Sequence, residues 1–197
     1  HRDLHSFPTR RSSDLLGNGF PLPEVEHLAL VAGGIGQTPF LAVAREALGQ
    51  KQYGNPSRHL PQPVKRLTMC YGARSAEYLA GLDDFQMDGL DLKISTDDGS
   101  QGHHGLVTEL LAESLESNSA PDAVYCCGPE PMMKAVQQLC AVRRVPCWLS
   151  LETPMACGFG ICFSCVTRVK LDESGDNWDY RRTCVEGPVF PAELLLL

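Results

Sequence analysis

The hydrophobic pattern of residues 25–146 predicts strands and helices in alternation. Short apolar or alternating runs have the length of buried strands, and longer stretches carry apolar residues at the 3.6-residue spacing of a helix. Strands that alternate with helices favour an α/β fold whose parallel sheet is covered on both faces. The predicted strands are residues 27–32, 65–71, 90–96 and 123–127, and the predicted helices are residues 40–48, 107–115 and 130–142.

Loops rich in glycine and polar residues follow these predicted strands. Parallel strands bring such loops to one edge of the sheet, where the ligands of open α/β sheets bind. We therefore expect the loops to converge on a nucleotide pocket. They are residues 33–38, 72–74, 97–99 and 128–132.

The first loop contains three glycines, Gly33, Gly34 and Gly36, which would let the backbone approach a pyrophosphate closely. We predict Thr38 as the cap of the following helix and Pro39 as its first residue. Taken alone, the loop is equally compatible with a tight turn. Its GGIG sequence lacks the G-x-G-x-x-G spacing, so it does not support an ordinary Rossmann dehydrogenase.

Four cysteines in the carboxyl-terminal part have the spacing C-x4-C-x2-C, with the fourth 19 residues further on. This is the plant-type pattern for a [2Fe–2S] cluster, in which two irons take two thiolates each. Gly158 and Gly160 would let the backbone curl around inorganic sulfide. The alternatives are a zinc site, which more often shows two C-x2-C pairs, and a set of buried structural thiols. The predicted metal ligands are Cys157, Cys162, Cys165 and Cys184.

Composition narrows the range of partners. The net charge is −7 with no basic stripe, which argues against nucleic acid. No apolar run approaches the roughly 20 residues that cross a bilayer, so we expect no membrane partner. The cysteine count, nine, is odd, and reduced thiols around a metal cluster fit a cytoplasmic protein better than a secreted disulfide scaffold.

We expect three parts along the chain. Residues 1–15 carry arginines and serines without any period, so we expect a non-native or disordered tail without function. Residues 16–146 form the predicted NAD-binding domain. Residues 147–197 form the predicted [2Fe–2S] cluster domain, with a small hairpin that begins at residues 166–170 and turns at residues 172–176.

The loop sequences GGIGQTP, YGAR, TDDGSQGHHGLVT and CGPEPMM resemble the nucleotide domain of the ferredoxin–NADP reductase superfamily. Together with MACGFGICFSC and YRRTCVEGPVF, the chain resembles the iron–sulfur, flavin-containing electron-transfer subunits of bacterial NAD-dependent, two-subunit dihydroorotate dehydrogenases. The resemblance covers about residues 16–190. It implies a ferredoxin-reductase-type nucleotide domain followed by a small cluster domain.

This resemblance implies an oxidoreductase subunit of pyrimidine biosynthesis. Electrons would pass from a partner subunit that carries FMN and oxidises dihydroorotate, through the cluster and FAD, to NAD+, in an expected heterotetramer. The family holds FAD in an amino-terminal β-barrel, and residues before Gly17 do not resemble its flavin motif. We expect about 100 further residues upstream in the natural protein, a domain-sized piece. The fragment by itself is then expected to be inactive without the barrel and the partner.

The resemblance also implies roles for single residues. Gly33, Gly34, Gly36 and Thr38 would face the pyrophosphate. Asp97, with Asp98, would either bond ribose hydroxyls or close a turn, and Arg74 would meet a phosphate, a 2′-phosphate or water. The residues expected near the nicotinamide are Cys127, Gly128, Glu130 and Met132.

Several of these assignments have alternatives. Cys127 would otherwise be an ordinary buried cysteine at the end of a strand. His103 and His104 are expected to be loop histidines, since they have no partner at metal-ligand spacing. Arg181 and Arg182 would tune the cluster potential or face a partner or water.

Two further functions compete with the first. One is a flavin and [2Fe–2S] subunit of a ferredoxin:NAD(P) or sulfide-linked oxidoreductase. The other is a ferredoxin-like carrier module whose nucleotide fold is vestigial. The MACGFGICFSC loop favours the dihydroorotate dehydrogenase subunit over the ferredoxin- or sulfide-linked subunit. The complete set of four loops argues against the carrier module with a vestigial nucleotide fold.

Overall fold

A computed structural model describes residues 17–22, 24–54, 57–58, 60–172 and 174–197. The predicted tail at residues 1–15 lies outside these residues. The described chain forms a seven-stranded sheet with helices on both faces and a separate two-stranded hairpin. The strands are β1 (His27–Gly33), β2 (Arg66–Ala73), β3 (Leu90–Thr96), β4 (His103–His104), β5 (Ala123–Cys127), β6 (Cys147–Ser150), β7 (Val166–Lys170), β8 (Trp178–Arg182) and β9 (Val189–Pro191). The helices are α1 (Phe40–Ala47), α2 (Val107–Glu116) and α3 (Glu130–Arg143).

The strand order of the large sheet is β4-β3-β2-β1-β5-β6-β9. Every pair is parallel except β6 with β9. From β1 the chain adds β2, β3 and β4 on one side of the sheet, and from β5 it adds β6 on the other side. The strand order therefore reverses between β1 and β5. Ligands of open α/β sheets bind at such a reversal. The predicted α/β class with a mainly parallel sheet is confirmed.

The two faces of β1 build two separate cores, because side chains alternate along a strand. Leu28 and Leu30 pack on the same face as Phe40 of α1. Ala29 and Val31 pack with α2 and α3 on the other face. The near-continuous apolar sequence of β1 follows from burial on both sides.

The residues before β1 are attached to the first core. Phe20 is 4% exposed and stacks on Tyr125, with ring centroids 4.9 Å apart. The Tyr125 hydroxyl donates a hydrogen bond of 2.9 Å to the Pro21 carbonyl. Residues 17–22 therefore lie against β5, beside the nucleotide domain's own core.

The predicted cap of α1 is wrong. Residues Gly34–Gln37 form a 3₁₀ turn, and Thr38 already has right-handed helical dihedral angles at the end of that turn. The helix itself begins at Phe40, and Pro39 precedes it without a side-chain cap. A short turn thus runs almost directly into the helix, so no extended residue remains where a capping side chain would sit.

The main sheet extends past the predicted boundary between residues 146 and 147. Strand β6 pairs with β5, and β9 pairs with β6 at the edge of the sheet. The residues between β6 and β9 include the cysteine loop and the hairpin β7–β8, whose strands are antiparallel. The cluster region is therefore an excursion from the sheet, and the division at residue 146 stays a proposal.

Candidate functional site

The first and the fourth predicted loops lie against each other at the carboxyl edge of the sheet. A Cβ at Gly33 would lie 2.7 Å from Met132 Sδ and 2.8 Å from Pro129 Cδ. A Cβ at Gly36 would overlap the Cys127 carbonyl oxygen. The two loops therefore approach this closely only because both positions lack a side chain.

Gly34 differs from its neighbours in the same loop. Its φ is +54°, and an added Cβ would meet open space. Glycine is thus required there for its backbone conformation, while the space above it stays free. A half-buried backbone with open space beside it, at the reversal of strand order, is suited to the approach of a phosphate group.

Asp97 and Asp98 have different surroundings in the loop after β3. Asp98 accepts hydrogen bonds from the backbone N–H of Ser100 at 2.9 Å and from its hydroxyl at 2.6 Å. These bonds close the turn and lower the pKa of Asp98. Asp97 is exposed, and its N–H donates to the Ala73 carbonyl at the end of β2. The Asp98 carboxylate thus closes the turn, and binding of a ribose by Asp97 stays a prediction.

The residues predicted near the nicotinamide differ in burial. Cys127 ends β5 half-buried, and desolvation raises the pKa of its thiol. Glu130 is exposed at the start of α3 and pairs with Lys134 at 2.8 Å. A Cβ at Gly128 would lie 3.0 Å from the backbone nitrogen of Gly33, so Gly128 belongs to the contact between the loops.

His103 and His104 form the short edge strand β4 in place of the expected loop. His103 Nε2 lies 2.6 Å from Glu109 Oε2 at the start of α2. This contact ties the edge strand to the helix. Arg74 is exposed, and its carbonyl accepts from the N–H of Asp98.

The structure groups the predicted metal ligands into two pairs. Hairpin β7–β8 brings Cys184 to Cys165, with the two sulfurs 2.9 Å apart and both residues buried. Cys157 and Cys162 are half-buried and hydrogen-bond each other in the loop that precedes the hairpin. Among the described residues, no three His, Cys, Asp or Glu side chains converge on one metal position. A [2Fe–2S] cluster does not require three protein ligands on one metal ion, because each iron binds two thiolates.

Backbone amides surround Cys157. The N–H groups of Cys162 and Phe159 donate to its sulfur and lower the pKa of the thiol to about 6. In the other pair, the hydrogen bond between the thiols lowers the pKa of Cys165 and raises that of Cys184 to about 11. Each pair thus favours a thiolate in one member, the form that binds metal.

Other features of the loop fit a cluster too. Gly158 and Gly160 have φ of +71° and +77°, which L residues with side chains rarely adopt. The Thr183 hydroxyl, next to Cys184, is buried without a hydrogen-bond partner in the described structure. An inorganic sulfide would accept from such a group. The donor set, the conformation and the unsatisfied hydroxyl all suit a [2Fe–2S] cluster.

Three large apolar side chains of this loop are exposed to solvent. Phe159, Ile161 and Phe163 are 74%, 75% and 71% exposed. Their alternation with the loop cysteines and glycines places them on the outer side of the site. Such clustering of exposed apolar groups is typical of an interaction surface.

Arg181 and Arg182 are half-buried, and each has a protein partner. Arg181 pairs with Glu186 at 3.0 Å. Arg182 donates to the Gly160 carbonyl at 2.9 Å and lies 4.8 Å from the ring centroid of Phe163. Glu186 lies within the YRRTCVEGPVF segment, but the sequence analysis assigned no role to it.

Comparison with known families matches both parts of the chain. Residues 30–138 match the family described as the oxidoreductase NAD-binding domain. Residues 152–196 match the iron-sulfur cluster binding domain of dihydroorotate dehydrogenase B. The two matches follow each other in the order that the motifs predicted.

Curated relatives carry the same combination over most of this chain. The "Dihydroorotate dehydrogenase B (NAD(+)), electron transfer subunit" of Caldanaerobacter subterraneus subsp. tengcongensis is 36% identical over 91% of this chain and 63% of its own length. The protein of that description from Clostridium perfringens is 38% identical over 89% of this chain and 61% of its own. The chain therefore spans less than two thirds of these relatives. The predicted family resemblance is confirmed.

A solved structure is similar over nearly the whole chain. It comes from work on flavin-based electron bifurcation by the NADH-dependent reduced ferredoxin-NADP oxidoreductase, with a TM-score of 0.69 and 28% identity. The match covers 92% of this chain and 58% of that one. The fold of this chain thus has a parallel in a solved structure.

Proposed function

This chain belongs to the oxidoreductase NAD-binding domain family, and we propose that it is the NAD- and cluster-binding part of the electron transfer subunit of an NAD-dependent dihydroorotate dehydrogenase. The observation that carries the proposal is the pairing of thiols described above. Cys157 with Cys162 and Cys165 with Cys184 supply two thiolates for each of two irons. This donor set follows an NAD-binding domain on the same chain.

Each part of the chain has its own task under this proposal. Gly34, at the open side of the first loop, faces the pyrophosphate of NAD, and Asp97 accepts from its ribose hydroxyls. Gly33, Gly36 and Gly128 keep the two loops in contact, so that Cys127 and Met132 lie where the nicotinamide enters. Thr38 lies in the turn that leads into α1 and lines the same end of the crevice.

The cluster region transfers electrons one at a time once a [2Fe–2S] cluster is bound. The cysteine loop then holds the cluster, while the exposed Phe159, Ile161 and Phe163 meet a partner subunit. Apolar side chains at such a contact exclude water and keep the partners at a fixed distance.

The relatives are longer than this chain, and we propose that their additional length holds the FAD-binding barrel. The partner is an FMN-containing catalytic subunit that oxidises dihydroorotate, with two copies of each chain in the assembly. Electrons pass from dihydroorotate to NAD+, a step of pyrimidine biosynthesis. None of the described helices combines the length and apolar character needed to cross a membrane. The nine free cysteines favour the reducing cytoplasm as its location.

Spectroscopy of the reconstituted chain tests the cluster assignment. Anaerobic reconstitution followed by dithionite should give the rhombic EPR signal of a reduced [2Fe–2S] centre. Cys184→Ala should abolish the signal, whereas Cys70→Ala, which removes another buried thiol, in the sheet core, should keep it. A wild-type chain that binds only zinc, or no metal, would remove the basis of the proposal.

A second candidate is a subunit of a ferredoxin-NADP oxidoreductase, because a solved enzyme of that description matches 92% of the chain. Substrate assays of the full-length protein with its partner separate the two. Reduction of NAD+ by dihydroorotate supports the first function. Reduction of NAD(P)+ by reduced ferredoxin, with no reaction of dihydroorotate, supports the second.

A further inference from the structure

The segment that enters the nucleotide domain is bonded directly to the cluster region. Asn18 donates its backbone N–H to the Gly187 carbonyl at 2.5 Å and its side-chain amide to the Glu186 carbonyl at 3.1 Å. Its side-chain oxygen accepts from the N–H of Val189 at 3.2 Å. One residue thus bonds three of the four residues 186–189, in the chain that returns from Cys184 to strand β9.

This contact is tight as well as polar. Residues 18 and 188 form a parallel β-bridge. A Cβ at Gly17 would overlap the Gly187 carbonyl oxygen, and a Cβ at Gly187 would overlap the ring of Phe190. Glycine at both positions therefore permits the close approach that the bonds of Asn18 need.

Glu186 continues the connection toward the cysteines. One carboxylate oxygen accepts from the backbone N–H of Arg182 at 2.9 Å, and the other pairs with the Arg181 side chain at 3.0 Å. The Glu186 N–H donates to the Arg182 carbonyl at 2.8 Å. Cys184 lies inside the turn that these bonds close. Movement of Glu186 would therefore move Cys184.

Arg182 completes the connection to the cysteine loop. Its guanidinium donates to the carbonyl of Gly160, between Cys157 and Cys162, and lies over the ring of Phe163. The Arg182 side chain is half-buried. Its hydrogen bond to Gly160 is therefore stronger than the same bond would be in full contact with water. The loop is thereby joined to the residue that binds Glu186.

We propose that Asn18, Glu186 and Arg182 form a positioning relay, which holds the cysteine loop in register with the chain segment entering the nucleotide domain. The inference rests on the proposed function, because the loop is taken as the cluster site. Under that function, the relay also couples the cluster position to any flavin domain joined ahead of residue 17. Asn18 touches no thiol, so it acts through Glu186 and Arg182.

Hydrogen exchange in the metal-free chain tests the relay without any cofactor. In Asn18→Ala, backbone amides of residues 158–163 should exchange about five-fold faster than in wild type, the factor that corresponds to one lost hydrogen bond of ordinary strength. Asn118→Ala is the matched control, since Asn118 is exposed in the loop after α2 and makes no side-chain hydrogen bond within the described structure. Equal exchange of the loop in the two variants would overturn the proposal.

Cluster stability and spectra give a second readout. After reconstitution, Arg182→Gln should release iron to a chelator about ten-fold faster than wild type, the lower end of the effect of outer-shell substitutions at metal sites. Asn18→Ala should act in the same direction and shift the g-values of the reduced centre. A merely local loss of stability would leave those g-values unchanged.

A double-mutant cycle shows whether the two ends act as one unit. Asn18 and Arg182 share no contact, so their effects on cluster release should add if Glu186 does not connect them. The relay predicts that Arg182→Gln with Asn18→Ala releases iron no faster than Arg182→Gln alone. Strict additivity would contradict it. Absence of any cluster in wild type would refute the proposed function instead, while the exchange experiment would still decide the relay.

Discussion

Single glycines in the first loop have separable tasks, although the sequence presents them as one motif. Gly36 is enclosed by the Cys127 carbonyl, while Gly34 has a left-handed backbone below open space. The motif predicted close backbone approach at both. It could not show that the backbone of another loop lies against Gly36, whereas the space beside Gly34 is open.

Alanine substitution separates these two tasks. Gly36→Ala should cost about 1–3 kcal/mol of unfolding free energy, because the loops after β1 and β5 must part. Gly34→Ala should cost only about 1 kcal/mol for its left-handed conformation, yet weaken NADH binding clearly. Urea unfolding and NADH fluorescence titration measure the two effects. If Gly34→Ala bound NADH as wild type does, the pyrophosphate would not lie over Gly34.

Cysteine reactivity should follow the surroundings of each thiol in the reduced, metal-free chain. Cys157 is half-exposed and has a pKa lowered to about 6, so it is mostly thiolate at pH 7. Its alkylation should be fast at pH 7 and slow down as the pH falls through 6, since protonation removes the nucleophile. Cys70, with a pKa raised to about 12 by burial, should stay unmodified in the folded chain.

Mass spectrometry of iodoacetamide-treated protein between pH 5 and 8 checks this order. Reconstitution with iron and sulfide should protect Cys157 from alkylation. Faster modification of Cys70 than of Cys157 in folded protein would show that the loop does not have the amide contacts described.

At the scale of elements, long periodic segments were predictable and short edge segments were not. Strands β1, β2, β3 and β5 and all three helices match the hydrophobic pattern within about two residues. Strands β4 and β9 have two and three residues, too few to display a period. They form because the sheet edge offers free backbone partners, which is tertiary information. The Thr38 cap was wrong for a related reason, because the 3₁₀ turn depends on contact with the loop after β5.

The segment at residues 17–22 is the element whose packing the sequence revealed least. Phe20 lies between Tyr125 and Phe40, with centroid distances of 4.9 and 5.5 Å. Phe20→Ala should therefore lower the free energy of unfolding by about 3–4 kcal/mol. Phe163→Ala, which truncates a ring that is 71% exposed, should change it by at most about 0.5 kcal/mol. Urea denaturation of both variants gives the comparison, and similar losses would mean that residues 17–22 do not pack on the sheet.

At the scale of the whole molecule, the sheet and the cysteine loop are one covalent and hydrogen-bonded unit. Strands β6 and β9 anchor both ends of the cluster region in the main sheet. The sequence analysis placed the boundary at residue 146, ahead of the cysteine motif. Pairing of β6 with β5 depends on residues that are distant in sequence, so the motif could not show it. A cluster region anchored at two ends keeps a fixed position relative to the nucleotide crevice.

The chemistry of the two redox partners predicts which reductants can reduce the cluster. NADH gives up a hydride, which carries two electrons, whereas a [2Fe–2S] cluster accepts one. Amino-acid side chains do not divide such a pair, a task for which electron-transfer proteins use a flavin. In the reconstituted chain, NADH alone should therefore leave the cluster oxidised, and dithionite should reduce it completely.

Adding a flavin extends the same experiment. Free FAD at catalytic concentration should let NADH produce the EPR signal slowly, since it accepts hydride and returns single electrons in solution. A longer protein that includes the flavin domain should do so without added FAD and much faster, because the domain is held beside the crevice. Prompt reduction by NADH in the flavin-free chain would show that the chain divides the electron pair by itself, and the proposed role of the additional domain would then fail.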